Sequence, residues 1–416
     1  MIEFKKYTLD NGLTLLLHRD DSTPMAAVNL LYKVGSRNED PDRTGFAHLF
    51  EHLMFGGSVN IPSFDEPVQM AGGENNAFTN NDYTNYYIAL PKENVETALW
   101  LESDRMLSLA FSPKSLDVQR KVVIEEFAQR YLNQPYGDIW LLLRPLAYKE
   151  HPYQWATIGK TPEHITGATM RHVKAFFKRY YIPANAILSI AGDFRYEDML
   201  SKVEKWFGGI PAVPALRDEI PHEPVQKTQR RLTVRRKVPV SVIYMAFHMA
   251  PRLNREFAVC DVISDLLSNG TSSRLYQRLV KQSELFSSVN AYVSGDIDAG
   301  LFVVTGRVLE GVSVDEAEKA LWNQLDLLKR EPAGEYELEK VKNKFEANNI
   351  FGEINVLNKA MNLAFFEMLG DASLINSEIE EHNSVTPQEI MTVARRLFVR
   401  RNSSVLHYLA DPDADR

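Results

Sequence analysis

Cysteine is nearly absent from this chain: Cys260 is the only one in 416 residues. An internal disulfide and a thiolate metal cluster are therefore excluded, and any zinc site has to be built from histidine and carboxylate. Long apolar runs are lacking too. The opening segment MIEFKKYTLDNGLTLLLHRD reaches its Asp10-Asn11-Gly12 turn without a stretch of signal-peptide length, and nothing later approaches a membrane span. The expectation is a cytoplasmic chain with no membrane contact, or a periplasmic one if a leader has been removed. No GxGxxG turn follows a strand, which excludes the usual dinucleotide fold. Charge of one sign is not in excess, with 47 Lys and Arg against 55 Asp and Glu and a formal charge of −8 spread along the chain. That leaves no footprint for nucleic acid and no polybasic patch, so the expected partners are proteins or peptides.

What is present is 44% hydrophobic residues in a chain too long for one ordinary core, so two or more domains are expected. YTLDNGLTLLLHRD reads as two strands around an Asn-Gly turn, MAAVNLLYKVGS as a third strand and RTGFAHLFEHLMFGG as a helix stopped by glycine. YYIALP is strand-like, and KENVETALWLESDRMLSL and DVQRKVVIEEFAQRYL are helical. Strands mixed with helices in this order predict an α+β fold.

The chain also resembles itself. A shift of 214 lays AVNLLYKVGSRN from Ala27 over SVIYMAFHMAPR from Ser241 (241 − 27 = 214). The same ungapped shift puts Glu51 on Asp265, Leu53 on Leu267, Gly56 on Gly270 and Ser58 on Ser272. Two homologous α+β domains are expected, at residues 1–215 and 232–416, joined by a linker at 216–231 within the Pro- and charge-rich stretch Gly208 to Arg231. In the second copy His48 has become Val262 and His52 has become Leu266, so the fold alone does not demand histidine there.

Those histidines belong to His48-Leu-Phe-Glu51-His52. On a helix, positions i and i+4 stand one turn apart on one face, so His48 and His52 can grip one metal ion, with Glu51 beside that face in reach of water held there. This is the H-x-x-E-H, inverted zincin pattern. A hydrolytic zinc needs a third protein ligand, and VVIEEF offers Glu125 or Glu126 on a predicted helix. Periodicity does not separate the two, because Val122 is three residues from one and four from the other. Gln119 lies two turns before Glu126.

These residues resemble peptidase family M16, the pitrilysin-like and insulysin-like zinc metallopeptidases. The motif His48 to His52 with Gly56-Gly57, GGENNAFTNNDYTNYYIALP from Gly72, VVIEE from Val122, HPYQWATIG from His151 and NGTSSRLYQRL from Asn269 occur in the family's order. The resemblance implies one Zn2+ per chain held by His48, His52 and Glu126, with Glu125 the reserve choice. It implies that Glu51 is the general base and that Gln119 stands in the outer shell, where many relatives carry an acid. It further implies that Asn76, Ala77 and Phe78 belong to an edge strand along which an extended peptide lies, inside a clamshell-like chamber.

The sequence departs from the family at one place. Active relatives commonly carry, in the second copy, an arginine and seven residues later a tyrosine that hold the substrate. The best alignment here finds Val280 and Ser287, and a shifted register offers Arg278 with Phe286. A homodimer or heterodimer is therefore expected, with an M16-like partner supplying the Arg/Tyr pair. The alternatives are a non-catalytic assembly subunit, which would be expected to lack zinc, and a metallohydrolase acting on something other than peptides.

Overall fold

The Asn-Gly segment folds as read: β1 (Lys5–Thr8) and β2 (Thr14–Arg19) form an antiparallel hairpin with Tyr7 opposite Leu15. The computed structural model describes residues 1–216 and 218–414; Arg217, inside the expected linker, and Asp415 and Arg416 lie outside the described residues. β2 is followed by β3 (Met25–Tyr32), β4 (Glu74–Thr79), β5 (Thr84–Pro91) and β6 (Ala186–Gly192), in a sheet ordered β1-β2-β6-β3-β5-β4. Only the β2–β6 pairing is parallel. β4 closes one end of the sheet, so among the described residues one side of it has no strand neighbour.

A second sheet repeats the plan. β7 (Arg230–Arg236), β8 (Val242–His248), β9 (Phe286–Val293), β10 (Leu301–Val308) and β11 (Ser403–Ala410) are ordered β7-β11-β8-β10-β9, again with one parallel pair, β7 with β11. Taken in chain order, β2 to β6 and β7 to β11 occupy the same five places in their sheets. The fold is two homologous α+β halves of mixed sheets with helices packed on them.

Neither compact unit is a single stretch of chain. The first comprises Met1–Phe127, Trp155–Ile220 and Asn349–Ser377, and the second comprises Ala128–Gln154, Pro221–Asn348 and Glu378–Arg416. In the first unit the Val356–Leu369 helix packs on the sheet, Val356 and Ala360 against Ala27 and Ala191, and Leu363 and Phe366 against Leu16, Leu31 and Ile187. In the second the Ile139–Ala147 helix does the same, Ile139, Leu143 and Ala147 packing on Val242, Ala246 and Leu406. Each sheet is thus covered by a helix from the other half of the sequence. An apolar helix face says that a sheet must cover it, but not which one.

Candidate metal centre

The motif occupies a helix of eight residues, Phe46–Leu53. Gly45 starts it at a φ of 88°, and a Cβ there would stand 2.5 Å from the Ile158 carbonyl oxygen, so no other residue fits. Glu39 takes the role that a capping Ser or Asp usually fills. Its carboxylate oxygens accept hydrogen bonds from the backbone N–H groups of Gly45 and Ala47, each at 2.8 Å. Burial pushes the Glu39 carboxyl up to about 8, although those same N–H groups pull it down. Nothing local in the sequence marks Glu39 as this cap.

The apolar face of the helix fixes the polar one. Leu49 and Phe50 are fully buried, Phe50 stacking on Phe176 and Tyr181 at ring separations of 5.1 and 5.0 Å. His48, Glu51 and His52 are thereby turned to the other side, His48 nearly buried and the other two half-buried. The two imidazoles meet edge to face with centroids 4.8 Å apart.

Glu126 comes to them from the Pro113–Phe127 helix, whose buried residues are Leu116, Val123 and Phe127. At roughly 100° per residue Glu126 flanks that buried stripe while Glu125 points away from it, and Glu125 is exposed. Glu126 Oε2 lies 3.6 Å from His48 Nε2 and 3.3 Å from His52 Nε2. One ligand atom from each of the three residues falls within 4.8 Å of the others. A tetrahedral zinc with bonds of about 2.0–2.2 Å separates its ligand atoms by roughly 3.3–3.6 Å, so the donors fit zinc in chemistry and both carboxylate–imidazole separations fit it in spacing.

Glu51 faces the strand at the sheet edge, where Thr79 Oγ1 donates to Glu51 Oε2 at 2.7 Å. The Tyr86 and Tyr181 phenols behind it are 3.4 Å apart, and burial holds both well above the usual tyrosine range, the Glu51 charge adding to it. They stay protonated and cannot serve as bases. The segment NNAFT lies within the edge strand β4; Asn76 is exposed, Ala77 and Phe78 are half-buried, and the Ala77 N–H donates to the Asn76 side-chain oxygen at 2.8 Å. Gln119 is half-buried and, among the described residues, makes no hydrogen bond to His48, His52 or Glu126. The residues that sequence reasoning missed are Thr79 and Glu39. The alternation of NNAFT, which sets Thr79 on the same strand face as Ala77, could have signalled the first.

The second unit has turned the equivalent place inward. Its helix, Arg255–Ser268, buries Val262 completely and Leu266 almost so. Asp265, the counterpart of Glu51, accepts from Asn269 Nδ2 at 2.7 Å, and burial holds its carboxyl above the ordinary range.

Residues 14–144 match the family described as insulinase, peptidase family M16, and residues 167–345 match the peptidase M16 inactive domain. The chain is 30% identical to zinc protease PqqE of Helicobacter pylori over 80% of its own length and 77% of that protein's. It superimposes on the crystal structure of a protease from Helicobacter pylori with a TM-score of 0.92 and 27% identity, over 98% of this chain and 100% of that one. The periplasmic protease PqqL from Escherichia coli shares the fold, with a TM-score of 0.80 and 17% identity over 99% of this chain but only 48% of that one. The chain belongs to peptidase family M16.

Proposed function

We propose that this chain is a zinc-dependent endopeptidase that binds one Zn2+ through His48, His52 and Glu126. The observation that carries the reading is the convergence of two imidazoles and one carboxylate at 3.3 and 3.6 Å, with a second carboxylate, Glu51, on the same helix face. Bound there, zinc supplies an acidified water and a Lewis acid for a carbonyl. Glu51 takes the proton from the attacking water and returns it to the leaving amine. A peptide or unstructured segment lies extended along the free side of β4, at Asn76, Ala77 and Phe78, held by main-chain hydrogen bonds. Such a site selects extended chains over folded proteins. Residues 1–215 and 232–416 are, on this reading, the two copies of the ancestral domain, and only the first kept the metal.

The split-site reading is favoured by the second unit's own packing. Val280 packs against the core, and Phe286 is fully buried. Arg278 donates to Gln324 Oε1 at 3.1 Å and lies 3.8 Å from Glu331, while Ser287 is exposed and carries no positive charge. A missing oxyanion donor costs about 10²- to 10³-fold in turnover. The cationic and phenolic groups therefore come from an M16-like partner chain that carries the pair.

The test is turnover of a mixed fluorogenic peptide library by wild type and Glu51→Gln, each alone and with a candidate partner. Activity that Glu51→Gln abolishes is expected, raised at least 100-fold by the partner. An isolated chain turning over at an ordinary rate of ~10 s⁻¹ would sink the split site, and activity surviving in Glu51→Gln would sink the mechanism.

A further inference from the structure

The Glu51 side chain has three rotatable bonds and sits in the middle of a helix, so its own backbone does not aim it. Thr79 does, through the 2.7 Å hydrogen bond from Oγ1 to Oε2. The position of that hydroxyl is set by a hairpin with little freedom. Thr79 pairs with Thr84 at the end of β4, and the Asn80 N–H donates to the Tyr83 carbonyl at 3.0 Å. Asn80 Oδ1 accepts from the N–H groups of Asp82 and Tyr83 at 2.8 and 2.9 Å.

The tip of the hairpin is fastened in turn. Ser36 N–H donates to the Asn80 carbonyl at 3.2 Å, Arg37 N–H donates to the Asn81 carbonyl at 2.9 Å, and the Arg37 guanidinium lies 3.1 Å from Asp82. A Cβ on Gly35 would meet the Asn81 backbone at 2.5 Å, which shows how closely the two segments fit. Threonine adds its own stiffness, because its branched Cβ restricts χ1.

We propose that Thr79 is a positioning residue for Glu51, so that one rigid strand both docks the peptide and aims the base at it. This rests on the reading of Glu51 as the base and of β4 as the docking strand. A misplacement of about 1 Å at a reacting group costs on the order of 10²-fold, which is the scale on which a fixed hydroxyl matters. Loss of the hydroxyl removes this hydrogen bond from the carboxylate while leaving the metal ligands and the edge strand in place. The effect belongs in kcat and not in KM or in zinc content.

The experiment compares Thr79→Val, which keeps the shape and removes the hydroxyl, with Thr79→Ser, which keeps the hydroxyl, and uses Glu51→Gln as control. Thr79→Val is expected to lower kcat about 10- to 100-fold, the range carried by a hydrogen bond to a charged group. KM should stay within about 2-fold and the zinc stoichiometry should not change. Thr79→Ser should recover kcat to within about 3-fold of wild type.

A second readout needs neither turnover nor partner. The carboxyl ¹³C resonance of Glu51 in metal-free protein, assigned by its disappearance in Glu51→Gln, is expected to move in Thr79→Val and to stay in Thr79→Ser. A Thr79→Val enzyme with unchanged kcat, a loss that follows zinc content, or a resonance indifferent to both substitutions overturns the inference while leaving the peptidase reading intact. A wild type whose turnover survives Glu51→Gln overturns both.

Discussion

The two units carry the same strand plan but opposite treatment of one helix and one edge strand. In the first unit the motif helix is eight residues long and stops before Gly56-Gly57; in the second its counterpart runs for 14 residues, through Ser268. By the offset of the repeat, Ser268 falls on Met54 (268 − 54 = 214), and Asn290-Ala291-Tyr292 falls on Asn76-Ala77-Phe78 (290 − 76 = 214). Most of the extra length lies at the start of the helix, and the difference that matters at its end is the residue, serine in place of methionine. Ser268 Oγ accepts from the Ala291 N–H and donates to the Ala291 carbonyl, both at 2.8 Å, so the edge strand β9 is sealed at that point by its own unit.

Met54 has no hydroxyl with which to do this. Among the described residues the Ala77 N–H is covered by the side chain of the preceding residue, Asn76, and by no group from another element. One duplicated framework thus places the proposed metal ligands beside an open edge in one copy and a packed core beside a closed edge in the other. An exposed edge is a liability unless it is used, and the second unit shows how the fold closes one that is not.

The largest effects that separate the copies are catalytic. Glu51→Gln should reduce peptide turnover by about 10²- to 10⁴-fold, whereas Asp265→Asn at the matching place should leave it within about 2-fold. Comparable losses in both variants, in a steady-state assay, would break the comparison.

Helix capping comes next. Glu39→Ala leaves two buried N–H groups of the motif helix without their acceptor and should cost about 2–4 kcal/mol of stability. Asn254 caps the counterpart helix, accepting from Glu256 N–H at 2.9 Å, and Asn254→Ala should cost about 1 kcal/mol. Chemical denaturation of the two variants ranks them.

Glu39 also sets a pH dependence. Its folded-state carboxyl titrates near 8 against an ordinary 4.5, so between those values the folded chain holds a proton that the unfolded chain releases. The stability this contributes is full below about 4.5 and is lost as pH rises through about 8. Glu39→Gln should flatten the fall in melting temperature across that window.

The smallest effect is at the sealed edge. Ser268→Ala should cost roughly 1 kcal/mol and should speed amide exchange at Ala291 with no change in turnover.

Much of this was legible in the sequence. The offset of 214 anticipated the repeated sheet, and the motif helix is where it was read, although it ends at Leu53, three residues before Gly56, rather than at the glycines. The choice between Glu125 and Glu126 was not open to periodicity, because the reference residue, Val122, is itself 43% exposed, while the core is entered by Val123 and Phe127. The resemblance named Glu126, and packing gives the physical reason it can reach the histidines. Alternation places Thr79 on a face of its strand but does not name Glu51 as its partner, and no local pattern connects Glu39 to the N–H groups it accepts from. The exchange of the Ile139–Ala147 and Val356–Leu369 helices was equally hidden, since equivalent helices from homologous halves present similar apolar faces to similar sheets.

The central claim is that His48, His52 and Glu126 hold the metal. Zinc stoichiometry, measured by elemental analysis after dialysis on wild type, Glu126→Gln and Glu125→Gln, tests it most directly. The account predicts about one zinc per chain in wild type and in Glu125→Gln, and a loss of most of it in Glu126→Gln, as expected when one of three protein ligands is removed. Zinc retained by Glu126→Gln and lost from Glu125→Gln, or absent from wild type, would contradict it.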